Sequence, residues 1–324
     1  MIFIKKILLL FGGNSYEHEV SCSSINFIIE NIDTKKYKYE VVGIDYENNW
    51  YIVSKNKKIT INWIREEKEK INNIISFAKS FDVIFPLIHG NTGEDGKLEA
   101  LFELNNIKYI GCNSYSSLIS YDKLITKLII DKYKIKQIPY YIYRKNLNLN
   151  DINYPVIIKP SKCGSSLGIN IAYNKKEVQK YIKESLKYDK NIIIEQYIEH
   201  KEEYECAILQ NKRKIITSNI GVILNNSNIY DYKAKYKNKV KTDIANISTK
   251  LKKEIQRNSK KIFSILGCKD LARIDFLYDL DTHELYFNEI NTMPGFTDIS
   301  MYPKLIKDTG INPKKLITFL IENN

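Results

Sequence analysis

Arginine is scarce in this sequence. Only Arg65, Arg144, Arg213, Arg257 and Arg273 occur, although Lys and Arg together number 50 and the formal charge is +12. The excess is therefore lysine, spread over the whole length. Nucleic-acid binders cluster their basic residues and favour arginine for phosphate and base contacts, so this distribution points away from them. A lysine-rich surface can still attract anionic substrates. Cysteine is also sparse: Cys22, Cys112, Cys163, Cys206 and Cys268 are odd in number, scattered and without a CxxC pair. That argues against zinc and a disulfide framework and for a reducing cytoplasm. Long apolar runs are missing too. The first candidate, "IFIKKILLLFGG", is broken by Lys5 and Lys6 and stops at Gly12, so it reads as a buried strand rather than a membrane span. No internal repeat and no linker rich in proline or glycine is present.

What is there alternates strands with helices. "KILLLFGG" reads as a strand, "EVSCSSINFIIENI" as an amphipathic helix, "YEVVGIDY" and "FDVIFPLIHG" as strands, "GKLEALFELNNI" as a helix and "KYIGC" as a short strand. Such alternation predicts a parallel sheet with binding residues at its strand ends. Two of those ends, "FGGNSYEHEVS" and "LIHGNTGEDG", are glycine-rich turns suited to anions.

The pattern changes from about Ser117. "YDKLITKLIIDKYKI" predicts a helix and "PVIIKPSKCGSSLGI" a strand, a glycine and serine loop, and a return strand. A helix near Lys175 to Lys187 precedes the strand "NIIIEQYI". "YECAIL" and "KIITSNIGVI" then read as antiparallel strands. The polar segment "NNSNIYDYKAKYKNKVKTDI" reads as a long functional loop. A helix over Thr249 to Leu266 leads into a hairpin centred on Asp279 to Thr282.

That hairpin carries the most specific chemistry. Arg273 and Asp275 stand two apart on its first strand, Glu289 and Asn291 two apart on its second, so each pair projects to one face. Asp275, Glu289 and Asn291 are oxygen ligands suited to hard divalent cations carrying phosphate. Lys159, on a strand before the flexible turn Gly164 to Gly168, is placed to reach phosphates as a point charge.

In order along the chain, "GGNSYEHEVS", "HGNTGEDG", "YDKLITK", "VIIKPSKCGSSLGI", "IIIEQYI", "YDYKAKY", "ARIDF" and "FNEINTMPGFTDISMYP" resemble the motifs of the D-alanine:D-alanine ligases, members of the ATP-grasp superfamily. The resemblance implies an α/β and α+β ATP-grasp fold with an N-terminal Rossmann-like parallel-sheet domain at 1–118, a central subdomain at 119–203 and a C-terminal subdomain at 204–324. It implies transfer of the γ-phosphoryl of ATP to one D-alanine, attack on the acyl phosphate by a second D-alanine, and a place in peptidoglycan precursor synthesis. By the same resemblance Lys123 and Lys159 neutralise ATP phosphates, and Glu195 and Glu203 bind the adenine amine and ribose hydroxyls. Gln196, Tyr197 and Ile198 edge the adenine. Asp275, Glu289 and Asn291 hold two Mg2+ (or Mn2+), while Arg273 and the Gly295 amide stabilise the oxyanion. Glu17 holds the first substrate's ammonium and joins Ser165 and Tyr236 in a triad. His89, Lys235, Ser300 and Met301 surround the substrates.

A homodimer is implied, with no nucleic-acid or membrane partner. His18, His200 and His283 are expected on the surface or in loops. One departure is Lys233 in "YDYKAKY", where the family usually shows glutamate. D-Serine or D-lactate as second substrate is the alternative; Tyr236 argues against D-lactate, and apolar Met301 gives little reason to expect a pocket that reads a hydroxyl. A nucleotide-sensing, non-catalytic relative would have lost a metal ligand or Arg273, and none is lost.

Overall fold

The run KKILLLFG forms strand β1 (Lys5–Gly12), and its near-continuous apolar character has a simple cause. Ile7, Leu9 and Phe11 point to one face of the sheet and Leu8 and Leu10 to the other, and both faces are covered. The computed structural model describes residues 4–165, 167–224 and 241–324. Strand β1 pairs in parallel with β2 (Tyr37–Ile44) and β5 (Val83–Leu87). Helix α1 (His18–Asn31) covers one face, and Leu98 and Phe102 of the helix Lys97–Leu104 cover the other. Two short strands, β3 (Trp50–Ile52) and β4 (Glu69–Lys70), add antiparallel edges that are too brief to leave a periodic signal.

Two further sheets are antiparallel. A four-stranded one, ordered β6-β9-β7-β8, uses Tyr140–Ile142, Val156–Pro160, Asn170–Ala172 and Ile192–Gln196 as β6 to β9. Val178 and Ile182 of the helix Lys175–Ser185 bury one of its faces against Val156, Ile158, Ile192 and Ile194. The opposite face carries Ile157, Lys159 and Glu195. A five-stranded sheet, ordered β12-β11-β10-β13-β14, is built from β10 (Lys201–Asn211), β11 (Lys214–Leu224), β12 (Lys241–Ile244), β13 (Leu271–Asp279) and β14 (Leu285–Asn291). Ile255, Ile262 and Phe263 of the helix Thr249–Ile265 pack on its outer face with Cys206, Ile208, Ile274 and Phe276. Tyr302, Leu305 and Ile306 of the helix Met301–Asp308 share a core with Ala207, Leu209 and Leu271 at one end of the inner face. That core also contains Ile7, Leu9 and Phe11 of β1, so the C-terminal helices tie the two ends of the chain together. Among the described residues no helix is long and apolar enough to cross a membrane.

The structure departs from several expectations. "KYIGC" makes only a parallel bridge, Ile84 with Tyr109. The helix expected over "YDKLITKLIIDKYKI" is Lys123–Asp131, preceded by a separate helix, Ser114–Tyr121. Asp122 breaks the two because its side chain caps the second, accepting from the Leu124 and Ile125 amides. The end of the expected loop is not loop: Lys241–Ile244 is β12, a charged edge strand on β11. The rest of that segment, 225–240, lies outside the described residues. His18 is not on the surface but 1% exposed. It accepts from Trp63 Nε1 at 3.0 Å and donates from Nδ1 to the Gly13 carbonyl at 2.8 Å. Burial pushes its pKa down, so the neutral ring acts as a strut under the first glycine turn.

Gly43 in β2 lies against Trp63, the ring that donates to this strut. A Cβ there would meet Trp63 ring carbons at 2.6 Å and the Phe11 ring at 3.0 Å. Gly43→Ala should therefore destabilise the chain by about 1–3 kcal/mol through overpacking. A urea midpoint equal to that of the parent would contradict this packing.

Candidate active site

The hairpin of β13 and β14 closes through Asp279, whose Oδ1 accepts from the amides of Asp281 at 2.8 Å and Thr282 at 3.2 Å. Its register sets Arg273 opposite Asn291 and Asp275 opposite Glu289, with the extra residue Asn288 bulged before the strands realign at Phe287. Glu205 on β10 stands opposite Asp275 on the other side. The alternation of strand side chains then sends Ile274, Phe276 and Ile290 into the core and Glu203, Glu205, Arg273, Asp275, Glu289 and Asn291 into a cavity.

Inside it, Arg273 donates to both Asp275 oxygens, from Nε at 2.8 Å and from an Nη at 2.7 Å. Glu205 lies 3.3 Å from the same Nε, and Asn291 donates to Asp275 at 3.0 Å. Burial alone would weaken the Arg273 cation, but Asp275 and then Glu205 outweigh it and hold its proton more firmly than usual. A planar guanidinium clamped this way has a fixed direction, which a flexible lysine would lack.

The facing sheet and the helix Lys123–Asp131 supply lysines. Lys159 lies 2.6 Å from one oxygen of Glu195 and Lys127 lies 2.7 Å from the other, all three side chains nearly inaccessible. Burial drives the Glu195 carboxyl up, and the two ammoniums more than reverse this, holding it below the usual carboxylate range. Burial likewise pulls Lys159 down. Lys123, first residue of its helix, lies 3.3 Å from Glu289 and donates to the Cys163 carbonyl at 3.0 Å. It thus connects the acidic hairpin to the glycine and serine loop.

The third wall comes from turns beside the parallel sheet. Ser165, at φ 53°, donates to Glu17 at 2.7 Å. A Cβ on either Gly90 or Gly164 would come within 3.1 Å of the Glu17 carboxylate, so both glycines allow the backbone to close on it. Glu94 accepts from the amides of Gly90 at 2.8 Å and Met293 at 3.1 Å. His89 bonds the Met293 carbonyl through Nδ1 at 2.9 Å, which assigns the proton to that nitrogen, and Nε2 lies 2.9 Å from Ser24 Oγ.

One cavity thus gathers Glu17, Lys123, Lys159, Ser165, Glu195, Glu203, Arg273, Asp275, Glu289 and Asn291. Others in the expected set sit elsewhere. His89 is buried behind the wall, and Met301 is packed against Gly221 in the core. Ser300 Oγ is bonded to Thr297 at 3.0 Å and lies 2.8 Å from where a Gly295 Cβ would stand. The Tyr197 amide bonds the Pro155 carbonyl at 3.0 Å, Gln196 Nε2 bonds that carbonyl at 3.0 Å, and Ile198 accepts from Lys201 at 3.1 Å. Lys233, Lys235 and Tyr236 lie outside the described residues. Lys127, Glu94, Lys201, Glu205 and Tyr121 were not foreseen. Strand period exposes Lys201, Glu203 and Glu205 together, and Lys127 follows Lys123 by one helical turn, but neither pattern separates a buried ion pair from a solvated face.

The hairpin's donor set fits a hard cation by its chemistry: two carboxylates and one carboxamide, all oxygen, facing one cavity and now compensated by Arg273 and Lys123. Among the described residues no group of three His, Cys, Asp or Glu side chains is arranged to hold a metal. Any cation here would have to draw further oxygens from its ligand.

Two antiparallel sheets grasping a cavity of lysines and acids, with a parallel sheet at one end, define an ATP-grasp fold. Sequence comparison narrows this. The D-ala D-ala ligase N-terminus matches residues 6–112 and the D-ala D-ala ligase C-terminus matches residues 135–322. The chain belongs to the D-alanine–D-alanine ligase family. It is 39% identical to D-alanine–D-alanine ligase B of Clostridium tetani, over 98% of this chain and 92% of the relative. Against the D-alanine–D-alanine ligase of Clostridium acetobutylicum the identity is 38%, over 98% and 97%. Among solved structures, the VanG D-Ala:D-Ser ligase from Enterococcus faecalis superposes with a TM-score of 0.88 at 31% identity, covering 99% of both chains. The D-alanine-D-alanine ligase from Coxiella burnetii gives 0.85 at 28%, covering 98% and 93%.

Because Glu195 is held below its usual value of 4.5, it contributes stability above that value and loses it as pH falls through the depressed one. Urea midpoints of the parent should fall on acidification through this window, and Glu195→Gln, already weaker, should show a flatter profile there. Parallel profiles would mean the two lysines do not stabilise the carboxylate.

Proposed function

We propose that this chain joins two D-alanine molecules to D-alanyl-D-alanine with hydrolysis of ATP to ADP and phosphate. The observation that carries the reading is the single cavity in which Lys123, Lys159 and Arg273 face Asp275, Glu289, Asn291 and Glu17. Support also comes from the relatives' names and from a 27% identical ligase of Bacillus anthracis, solved with ATP, at a TM-score of 0.76. The units 1–118, 119–203 and 204–324 are proposed as its working divisions.

In this reading Glu17, fixed by Ser165, binds the first D-alanine's ammonium and leaves its carboxylate toward the phosphates. A carboxylate oxygen attacks the γ-phosphorus and ADP departs. Lys123 and Lys159 offset the phosphate charge; Asp275, Glu289 and Asn291 would hold a pair of Mg2+ (or Mn2+) that supplies further neutralisation. The neutral amine of the second D-alanine then attacks the acyl carbon, and Arg273 with the Gly295 amide stabilises the oxyanion before phosphate leaves and the nitrogen loses its proton. Glu203 and Glu195, with the backbone of Gln196, Tyr197 and Ile198, serve the nucleoside; Lys235, Tyr236 and Ser300 complete the substrate surroundings, and His89 supports them from behind the wall through Met293. D-Serine is the second acceptor to test, because Met301 faces the core and so does not decide the choice. We place the chain in the reducing cytoplasm, in keeping with its five free thiols.

Purified protein with ATP and magnesium should release phosphate when D-alanine is added, with dipeptide appearing in step. Equal release with L-alanine, or none with either, would sink the reading, and faster release when D-serine is supplied with D-alanine would move it to the mixed dipeptide. Glu289→Gln should retain the fold and lose most turnover.

We also propose a homodimer. Leu104, Tyr115, Leu118, Ile125 and Leu128 are large apolar side chains exposed on neighbouring helices around 97–131, a patch suited to a second copy. Light scattering should give twice the chain mass, and Leu118→Lys with Ile125→Lys should halve it. A monomeric parent would exclude this arrangement.

A further inference from the structure

Lys127 is buried to 1% exposure and has no part in the reaction as described. A solvent-free ammonium is stable only when paired, and its carboxylate partner is Glu195, 2.7 Å away. That carboxylate is shared: Lys159 holds the other oxygen at 2.6 Å. The two lysines differ in access. Lys159 and Glu195 line the cavity, whereas Lys127 does not, being capped by the Tyr140 ring at 4.8 Å. The Tyr140 hydroxyl is in turn bonded to Asp131 at 2.7 Å, which fixes the ring over the ammonium. The groups facing Glu195 are therefore Lys159 from β7, Lys127 from the helix Lys123–Asp131 and Tyr140 from β6, with Lys123 beyond Lys159.

A phosphate entering the cavity competes with Glu195 for Lys159. Once that ammonium turns to the phosphate, the cation that stays with Glu195 is Lys127, since a nucleoside offers the carboxylate a neutral donor and no charge; without Lys127 it would be a buried, uncompensated anion that must take up a proton. We propose that Lys127 is a positioning residue that acts through Glu195, freeing Lys159 for the nucleotide's phosphates while keeping the Glu195 carboxylate charged and in place. This rests on the reading above that Lys159 serves the phosphates of ATP.

The test is calorimetric titration of the full chain with magnesium–ATP across neutral pH, in buffers of different ionisation enthalpy, for the parent, Lys127→Met and Lys127→Met/Glu195→Gln. Relative to the parent, Lys127→Met should bind one extra proton with the nucleotide, so that its Kd worsens by up to about tenfold for each unit of rising pH. The double variant has no carboxylate to protonate and should return to the parent's pH dependence. A Kd in Lys127→Met that follows the parent's pH profile, or a double variant that keeps the steep dependence, overturns the proposal. Should Lys127→Met not fold, recovery of folding in the double variant supports the proposal, and failure of both overturns it, because the loss would then not run through Glu195. A parent that binds no ATP refutes the nucleotide reading itself, a result distinct from either.

Discussion

Two lysines and one glutamate, all buried, meet between the four-stranded sheet and the helix Lys123–Asp131. Removing one member of a buried ion pair costs about 3–5 kcal/mol, because the charge left behind has neither water nor partner. Much of the cavity's construction follows from satisfying such charges. The helix is capped by Asp122, which also accepts from Ser161 Oγ, so its start is fixed to the strand end that carries Lys159. Lys123 and Lys127, one turn apart, are thereby directed at Glu289 and Glu195 on two different sheets.

The five-stranded sheet repeats this logic with a guanidinium. Arg273 is held between Asp275 and Glu205 on neighbouring strands, which is possible because residues two apart and residues directly opposite share a face. Apolar residues on the other face, Ile274 and Phe276 among them, bury against the helix Thr249–Ile265 and hold the charged face in position. Without that packing the acids and lysines would be a solvated surface, since exposed ion pairs contribute little.

The parallel sheet contributes rigidity near Glu17. His18, neutral and accepting a hydrogen bond from Trp63, supports Gly13, while Glu94 and His89 bind the turn at Met293. The turn that carries Gly295 is therefore fastened to the unit that carries Glu17. These contacts link residues about two hundred positions apart, and they bring Glu17 and the hairpin to the same cavity.

The sequence by itself determined the order of the main strands and helices, because apolar alternation and apolar runs follow directly from which faces are covered. It also located the hairpin, its paired Arg273, Asp275, Glu289 and Asn291, and the lysine strand, since a period of two places such residues on one face whatever the surroundings. Short edges such as β3 and β4, and the charged strand β12, left no periodic trace. His18 read as a surface residue because nothing local announces that Trp63, forty-five positions away, will bond to it. Lys127 read as a helix lysine among many in a chain with 50 basic residues. Only the tertiary structure decided that this one is buried: its partner Glu195 comes from another element, and the pairing exists only once the helix and the sheet have packed and excluded the water between them.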